Sequence, residues 1–332
     1  MRKLLLTSTA LVTAASISSY AMADVSVTGG FEWRYTSISS NVAASDGTEF
    51  GSDNTLTISF TNKTDSGLTL TGVYDVDADD AGATSMDESY LQISGGFGTV
   101  SLGQNDAVND SFGIGEHDLI DIDLDFSPAG SSIVTTAGEG GNTDDNKVAY
   151  TTPAMGGFKA GYSIADRGTA VQSTDSTAMG ASYDMAIDGG SISFKYNKHT
   201  KDGAAAAETE ASNYGVKLAM GAASVIVARG ESTIGSGASQ SDDREANGIS
   251  VSYNMGGGLK VGASTVTASD AKDVASGVEE EYTANIAEVS YTIAPGLSAN
   301  LTYLDFDYKA GGEGSSANDS GSKTAITIGA SF

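Results

Sequence analysis

The residues best suited to chemistry are carboxylates grouped in the segment Asn105–Asn146. This segment holds ten acidic residues and no lysine or arginine. Grouped carboxylates attract cations, so they can select ions at a narrow passage or hold a metal ion. A solvated acidic surface loop is the other interpretation. The candidates, in the densest part of the segment, are Glu116, Asp118, Asp121, Asp123 and Asp125.

Three of these carboxylates alternate along the chain, as ligands do at the start of a calcium-binding loop. Asp121, Asp123 and Asp125 have this spacing. An EF-hand would then need a glycine and a glutamate where this sequence has Phe126 and Ser132, so that motif fails. We therefore expect no required cofactor, and a looser calcium site at the three aspartates remains an alternative.

Motifs for catalysis are nearly absent. The stretch Gly161–Ala165 resembles a nucleophile elbow, but it lacks the final glycine and falls in a strand-like segment. His117 and His199 have neither cysteine partners nor the spacing of metal ligands. The glycine-containing stretch 113–118 ends in aspartate and does not fit a phosphate-binding loop. We expect no enzymatic activity.

The charge balance and the N-terminus restrict the partners and the location. The chain has 43 acidic and 17 basic residues and a net charge of −26, which disfavours binding to nucleic acid. Residues 1–23 combine Arg2 and Lys3, an apolar stretch and the ending Ala21–Ala23, which is the pattern of a secretory signal peptide. Cysteine is absent, and no later apolar run reaches the about 18 residues of a transmembrane helix.

The candidate residues must be positioned by strands, because hydrophobicity alternates with period two along most of the chain. The first strand places Val25, Val27 and Phe31 on one face, and Ser26 and Thr28 on the other. The 16 segments with this pattern are Val25–Tyr35, Thr55–Lys63, Leu68–Val76, Glu88–Ser94, Thr99–Gly103, Lys147–Thr152, Phe158–Ala165, Ala178–Asp184, Ser191–His199, Ser212–Met220, Ser224–Arg229, Gly248–Asn254, Leu259–Thr267, Asn285–Thr292, Leu297–Asp305 and Lys323–Phe332.

The connections alternate between short turns and long polar loops, so the two kinds should lie at opposite ends of the structure. Met255–Gly258 is one of the short turns. An aromatic residue on the apolar face comes just before several of these turns, which is typical of a ring of aromatics at a membrane interface. These residues are Phe60, Tyr150, Tyr183, Tyr253 and Tyr291.

The polar face indicates what the apolar face contacts. The apolar positions carry almost no charge, as contact with lipid requires. The polar positions are rich in Ser, Thr and Gly, and they include Glu32, Arg34, Lys195 and Lys217. Closing an even number of strands into a barrel satisfies every backbone group inside a membrane. We therefore predict an all-β fold, a 16-stranded antiparallel transmembrane β-barrel over residues 24–332.

Several motifs resemble a known family in their order and spacing. They are "DVSVTGGFEWRY" (24–35), "GGFGTVSLGQ" (95–104), "GGFKAGYS" (156–163), "GGLKVGAS" (257–264) and "AITIGASF" (325–332). The sequence resembles the Gram-negative general diffusion porins, closest to the alphaproteobacterial type. The resemblance implies a homotrimeric outer-membrane channel for passive diffusion of small hydrophilic solutes and ions, with short periplasmic turns and long external loops.

The resemblance also assigns roles to two parts of the chain. It implies that the third loop, Asn105–Asn146, folds into the lumen as a constriction. It implies that Phe332 is the C-terminal signal read by the outer-membrane assembly machinery. Lipid surrounds such a barrel, and acidic outer loops bridge divalent ions to lipopolysaccharide.

The family typically sets arginines on the barrel wall opposite an acidic third loop, and this sequence departs from that pattern. Arg34 is the only arginine that alternation places towards the lumen, with Lys195 and Lys217 as weaker substitutes. We therefore expect a cation-selective pore whose constriction combines these residues with the acidic candidates. The alternative function is a calcium-binding structural or adhesive surface β-protein without channel activity.

Overall fold

A computed structural model describes residues 23–43, 45–78, 84–120, 145–165, 175–201, 208–235, 242–270, 279–310 and 318–332. The strands in this part of the chain are β1 (Asp24–Ser40), β2 (Gly47–Lys63), β3 (Thr69–Ala78), β4 (Thr84–Gly95), β5 (Gly98–Gln104), β6 (Asn146–Thr151), β7 (Phe158–Ala165), β8 (Ser176–Ile187), β9 (Gly190–Lys201), β10 (Thr209–Met220), β11 (Ala223–Ile234), β12 (Asp242–Gly256), β13 (Leu259–Asp270), β14 (Glu280–Ala294), β15 (Leu297–Lys309) and β16 (Asp319–Ser331).

Two short helices accompany the strands, α1 (Val108–Ser111) and a 3₁₀ turn (Glu116–Leu119). Both belong to the connection between β5 and β6. Among the described residues, no helix has the length and apolar character needed to cross a membrane. The predicted signal peptide, residues 1–23, lies outside the described residues except for its last residue.

The strands close into a barrel. Each strand pairs antiparallel with its neighbours in sequence, and β1 also pairs with β16. That seam runs from Gly30 opposite Ser331 to Ser40 opposite Gly321. Closure leaves no open sheet edge, which lipid would not tolerate. The prediction of a 16-stranded antiparallel barrel is confirmed over the described residues.

The two faces of the barrel differ as the alternation predicts. On β1, Val25, Val27 and Phe31 are exposed on the outside, whereas Glu32 and Arg34 point inward and are partly covered. An outer face this rich in exposed apolar side chains suits lipid rather than water. The aromatic residues expected before the short turns are exposed on that outer face, and they are Phe60, Tyr150, Tyr183, Tyr253 and Tyr291.

The strands extend further towards the long loops than the sequence predicts. The loop expected over residues 36–54 shrinks to 41–46, because β1 continues to Ser40 and β2 begins at Gly47. These extensions are mostly polar, with only Ile38 and Phe50 as apolar residues, so the alternation that identifies a strand disappears there. The backbone ladder needs no such alternation and continues.

Near the long loops, β14 and β15 reverse the usual pattern, so that apolar side chains point inward and charged ones point outward. Leu304 and Phe306 are buried inside the barrel, while Asp305 between them is exposed outside. These inward side chains belong to a buried apolar cluster that also contains Ile114 and Ile120 from the connection between β5 and β6. The hydrophobic core of this barrel therefore lies in its lumen, between wall and loop.

Candidate functional site

The third loop turns into the barrel. Its described residues are 105–120 and 145–146. Within them, α1 packs against β6–β9, and the 3₁₀ turn packs against β11–β13. The side chains of Val108, Phe112 and Leu119 are buried between the loop and the barrel wall. The in-folded third loop is therefore confirmed for residues 105–120.

Lysines of the barrel wall hold the backbone of this loop. The Nζ of Lys195 on β9 donates to the carbonyl oxygen of Gly113 at 2.8 Å. The Nζ of Lys260 on β13 donates to the carbonyl oxygen of Leu119 at 3.1 Å. Lys147 on β6 is buried and donates to a loop carbonyl in the same way. These ammonium groups thus lie behind the loop, between it and the wall.

Side-chain amides complete the attachment. Asn213 on β10 accepts the backbone N–H of Ile114 through Oδ1 at 2.8 Å and donates to the carbonyl of Ile114 through Nδ2 at 2.7 Å. Asn197 on β9 donates to the carbonyl of Asn109 at 3.0 Å, and the Ser163 hydroxyl accepts a loop N–H at 3.1 Å. Asn213 is fully buried. These contacts satisfy loop backbone groups that have no strand partner.

The acidic candidates occupy different environments. Glu116 begins the 3₁₀ turn and is only 2% exposed. The Asp118 side chain is 38% exposed and accepts a loop N–H at 3.1 Å. Asp121, Asp123 and Asp125 lie outside the described residues. In the described part of the chain, no group of three or more His, Asp or Glu side chains suits a metal ion.

The luminal face of β1–β4 contrasts with the wall under the loop. Neither α1 nor the 3₁₀ turn contacts these strands. Their inward side chains include Glu32, Asp53 and Asp75, which are exposed or half-buried, whereas Glu88 on β4 accepts the N–H of loop residue Asp106 at 2.9 Å. Arg34, also on β1, donates to Glu32 at 2.6 Å, so its charge is compensated within this wall. The accessible charge on β1–β4 is therefore mainly negative.

The predicted basic residues face this acidic wall across the lumen. In the closed order of strands, β9 lies opposite β1, and β10 lies opposite β2. Lys195 on β9 and Lys217 on β10 are half-buried on the luminal side. The barrel thus brings Arg34 and Glu32 opposite Lys195, with the third loop between them.

Sequence reasoning finds the acidic loop but misses the residues that fix it. Asn197 and Asn213 are ordinary polar residues at inward positions, and Ser163 is one of many inward serines. The only available signal is that asparagine, with both a donor and an acceptor, can bind another backbone from a strand. That signal does not say which backbone is bound.

The fold and the site define an outer-membrane channel protein. The chain belongs to the Gram-negative porins, because the family model matches residues 7–331. A porin is a channel and not an enzyme, in agreement with the missing catalytic motifs. Membership also sets aside the alternative of a surface protein without channel activity. A comparison with curated proteins found no match.

Solved outer-membrane proteins, porins among them, share this fold. An anion-selective porin from Comamonas acidovorans is similar with a TM-score of 0.68 and 14% identity, covering 93% of this chain and 100% of that one. A mutant Rh. blastica porin has a TM-score of 0.61 and 16% identity, with 93% and 100% coverage. OmpT of Vibrio cholerae, in trimer form, has a TM-score of 0.65 and 14% identity, with 94% and 100% coverage.

Proposed function

We propose that this porin lets small hydrophilic solutes and ions diffuse passively through its lumen, with a preference for cations. One observation carries the proposal: Glu32, Asp53 and Asp75 on β1–β3 are exposed or half-buried in the lumen, whereas Lys147, Lys195 and Lys260 donate to carbonyl oxygens of the third loop. A permeating ion therefore approaches the carboxylates more closely than the ammonium groups. Fixed charge nearest the passage dominates ion selection.

The third loop adds its own carboxylates to this field. Asp118, partly exposed on the 3₁₀ turn, supports placing the narrowest passage beside this part of the loop. Glu116, buried under the same turn, contributes charge from behind the passage. The residues that we propose for the constriction are Glu116, Asp118, Asp121, Asp123, Asp125, Arg34, Lys195 and Lys217.

Assembly is the second part of the proposal. We propose a homotrimer, since OmpT of Vibrio cholerae shares the fold and was solved in trimer form. Phe332 is 72% exposed at the end of the last strand, where a receptor can reach it. We propose that the outer-membrane assembly machinery reads it.

We also propose lipopolysaccharide as a partner and a calcium site at Asp121, Asp123 and Asp125, with no cofactor required for transport.

The reversal potential of single channels under a salt gradient tests the selectivity. We expect the reversal potential to have the sign of a cation-selective channel. Asp53→Asn on the open side of the lumen and Asp118→Asn on the loop should each reduce its magnitude. Asp305→Asn is the matched control, because it removes an exposed carboxylate from the outer face. Anion preference, or equal potentials in all variants, would contradict the proposal.

A further inference from the structure

Several luminal glycines lie directly under the third loop. They are Gly161 on β7, Gly180 on β8, Gly215 on β10, Gly248 on β12 and Gly262 on β13. Glycine weakens a strand interior, and it often marks a place where another part of the chain approaches closely. None of these five has the positive φ that would itself require glycine. Space, and not backbone conformation, is therefore the reason for glycine at these positions.

The space is filled by loop side chains. A Cβ at Gly161 would lie 2.8 Å from the ring of Phe112, and one at Gly215 would lie 2.8 Å from Cγ2 of Ile114. A Cβ at Gly180 would also overlap Phe112. Carbon atoms pack at about 3.5–4.0 Å, so each of these contacts would force a displacement.

The remaining two positions show the same arrangement. A Cβ at Gly248 would overlap the side chain of Glu116, and one at Gly262 would overlap Ile120. Glu116 and Ile120 are both buried. Their burial depends on wall positions that carry no side chain.

The loop follows the glycines with a regular step. Phe112 meets β8, Ile114 meets β10 and Glu116 meets β12, so the loop advances one residue for each strand that it crosses. Asn197 binds the backbone of Asn109 ahead of these points, Lys195 binds the carbonyl oxygen of Gly113 between the first two, and Asn213 binds the backbone of Ile114. Alternate side chains, Phe112, Ile114 and Glu116, thus fill glycine positions, while polar side chains of the wall hold the loop backbone.

We propose that these glycines are sockets that set how far the third loop projects into the lumen, and so determine the exclusion size of the channel. The inference rests on the proposed function only because conductance and solute uptake are used to measure it. The sockets themselves are defined by contacts between the wall and the loop. Filling one socket pushes the loop away from the wall and into the passage. The barrel wall thus specifies the passage through residues that a solute never touches.

Gly180 and Gly248 give the cleanest test. The three nearest atoms to a Cβ at each of them all belong to a loop side chain, whereas a Cβ at Gly215 would also lie 2.6 Å from the backbone oxygen of Val227. Gly72→Ala is a matched control, since a Cβ there would meet nothing within 4 Å. Gly329→Ala is a second control, because Gly329 is not covered by the third loop and a Cβ there would meet only Ser298 Oγ, at 3.3 Å.

The experiment measures single-channel conductance and the uptake of sugars of increasing size into proteoliposomes. We expect Gly180→Ala and Gly248→Ala to lower conductance by about two-fold and to exclude the larger sugars, because the loop narrows the passage. The two controls should match the wild type. Heat-modifiable migration in gels checks that each variant folds. Folded socket variants that conduct and take up sugars like the controls would overturn the proposal.

Two further variants keep the result decisive. If the alanine variants do not fold, Phe112→Ala empties the sockets of Gly161 and Gly180 without changing the barrel, and an unchanged size limit would then overturn the proposal. If the wild type does not conduct, the proposed function fails. In that case, Asp118→Cys in this cysteine-free chain reports how exposed the loop is, through the rate at which the thiol reacts. Equal reaction rates with and without Gly180→Ala would overturn the proposal that the glycines act as sockets.

Discussion

The lumen has two walls that use polar residues in opposite ways. On the loop-bearing wall, β6–β13, the side chains that bind the backbone of the third loop include Lys147, Lys195, Lys260, Asn197 and Asn213. The open wall, β1–β4, leaves Asp53 exposed and Glu32 and Asp75 half-buried in the lumen. Apart from Glu88 on β4, which binds the start of the loop, polar side chains therefore fix the loop on one wall and face the passage on the other.

This difference shows why counting luminal charges is not enough to assign selectivity. Lys195 and Asp53 are both inward residues that carry one charge. The Lys195 ammonium is bound to a loop carbonyl at 2.8 Å, while Asp53 is exposed. Since a charge in a narrow lumen acts mainly at short range, what covers it matters as much as its sign.

The largest expected effect comes from detaching the loop. Asn213→Leu removes both hydrogen bonds to Ile114, leaving a buried N–H and a buried carbonyl unsatisfied at a cost of about 1–3 kcal/mol each. We expect the third loop to become susceptible to protease and the free energy of unfolding to fall. Asn54→Leu, on the lipid-facing side of β2, should leave the loop protected. An equally protected loop in both variants would contradict the assigned anchor.

The second comparison removes one charge from each wall. Asp53→Asn should lower the cation-to-anion permeability ratio clearly, because an exposed carboxylate is lost. Lys195→Met removes a covered ammonium and should change the ratio less, although it also loosens the loop at Gly113. Reversal potentials at low salt measure both. A larger shift for Lys195→Met would show that the loop does not cover this wall electrostatically.

A smaller effect is expected within the open wall itself. Glu32→Gln removes the negative charge of the carboxylate that accepts from Arg34 at 2.6 Å, so the open wall becomes less negative. The permeability ratio should fall, and Glu32→Gln together with Arg34→Gln should restore most of it. Reversal potentials of the two variants give the comparison. If the double variant is no more cation-selective than the single one, the pair does not compensate as the structure indicates.

The smallest effect is that of salt on the wild type. The Debye length falls from about 30 Å at 0.01 M to about 3 Å at 1 M ionic strength. Charges on the open wall should therefore act across the lumen only at low salt, and cation preference should decline as salt rises. Permeability ratios over that range measure the decline. A constant ratio would point to selection by direct contact at the constriction.

The sequence was sufficient to predict the barrel because a period-two pattern reports directly which face meets lipid. Val25, Val27 and Phe31 are exposed on the outside, as their spacing predicts. The same pattern misleads at the long-loop end of β15, where the apolar Phe306 is buried inside the barrel and Asp305 is exposed outside. There the alternation continues, but the outer face carries charge and the apolar inner face is covered, so the apolar face no longer marks contact with lipid.

The site was predictable only in part. The acidic composition marks the third loop, and the resemblance implies that it folds inward. Alternation says that Lys195 and Gly248 point into the lumen, but not that a loop lies over both. Contacts between segments far apart in sequence depend on the closed barrel, and no local pattern encodes them.

Cysteine accessibility tests most directly whether the two walls differ as described. The chain has no cysteine, so a single introduced thiol is a clean reporter. Thr55 is exposed on the open wall, whereas Ala178 on β8 is 2% exposed and packs with the loop residues Val108 and Phe112. Thr55→Cys should react rapidly with a small cationic thiol reagent and change the conductance, while Ala178→Cys should remain unmodified. Equal reaction rates at the two positions would contradict a loop that covers one wall and leaves the other open.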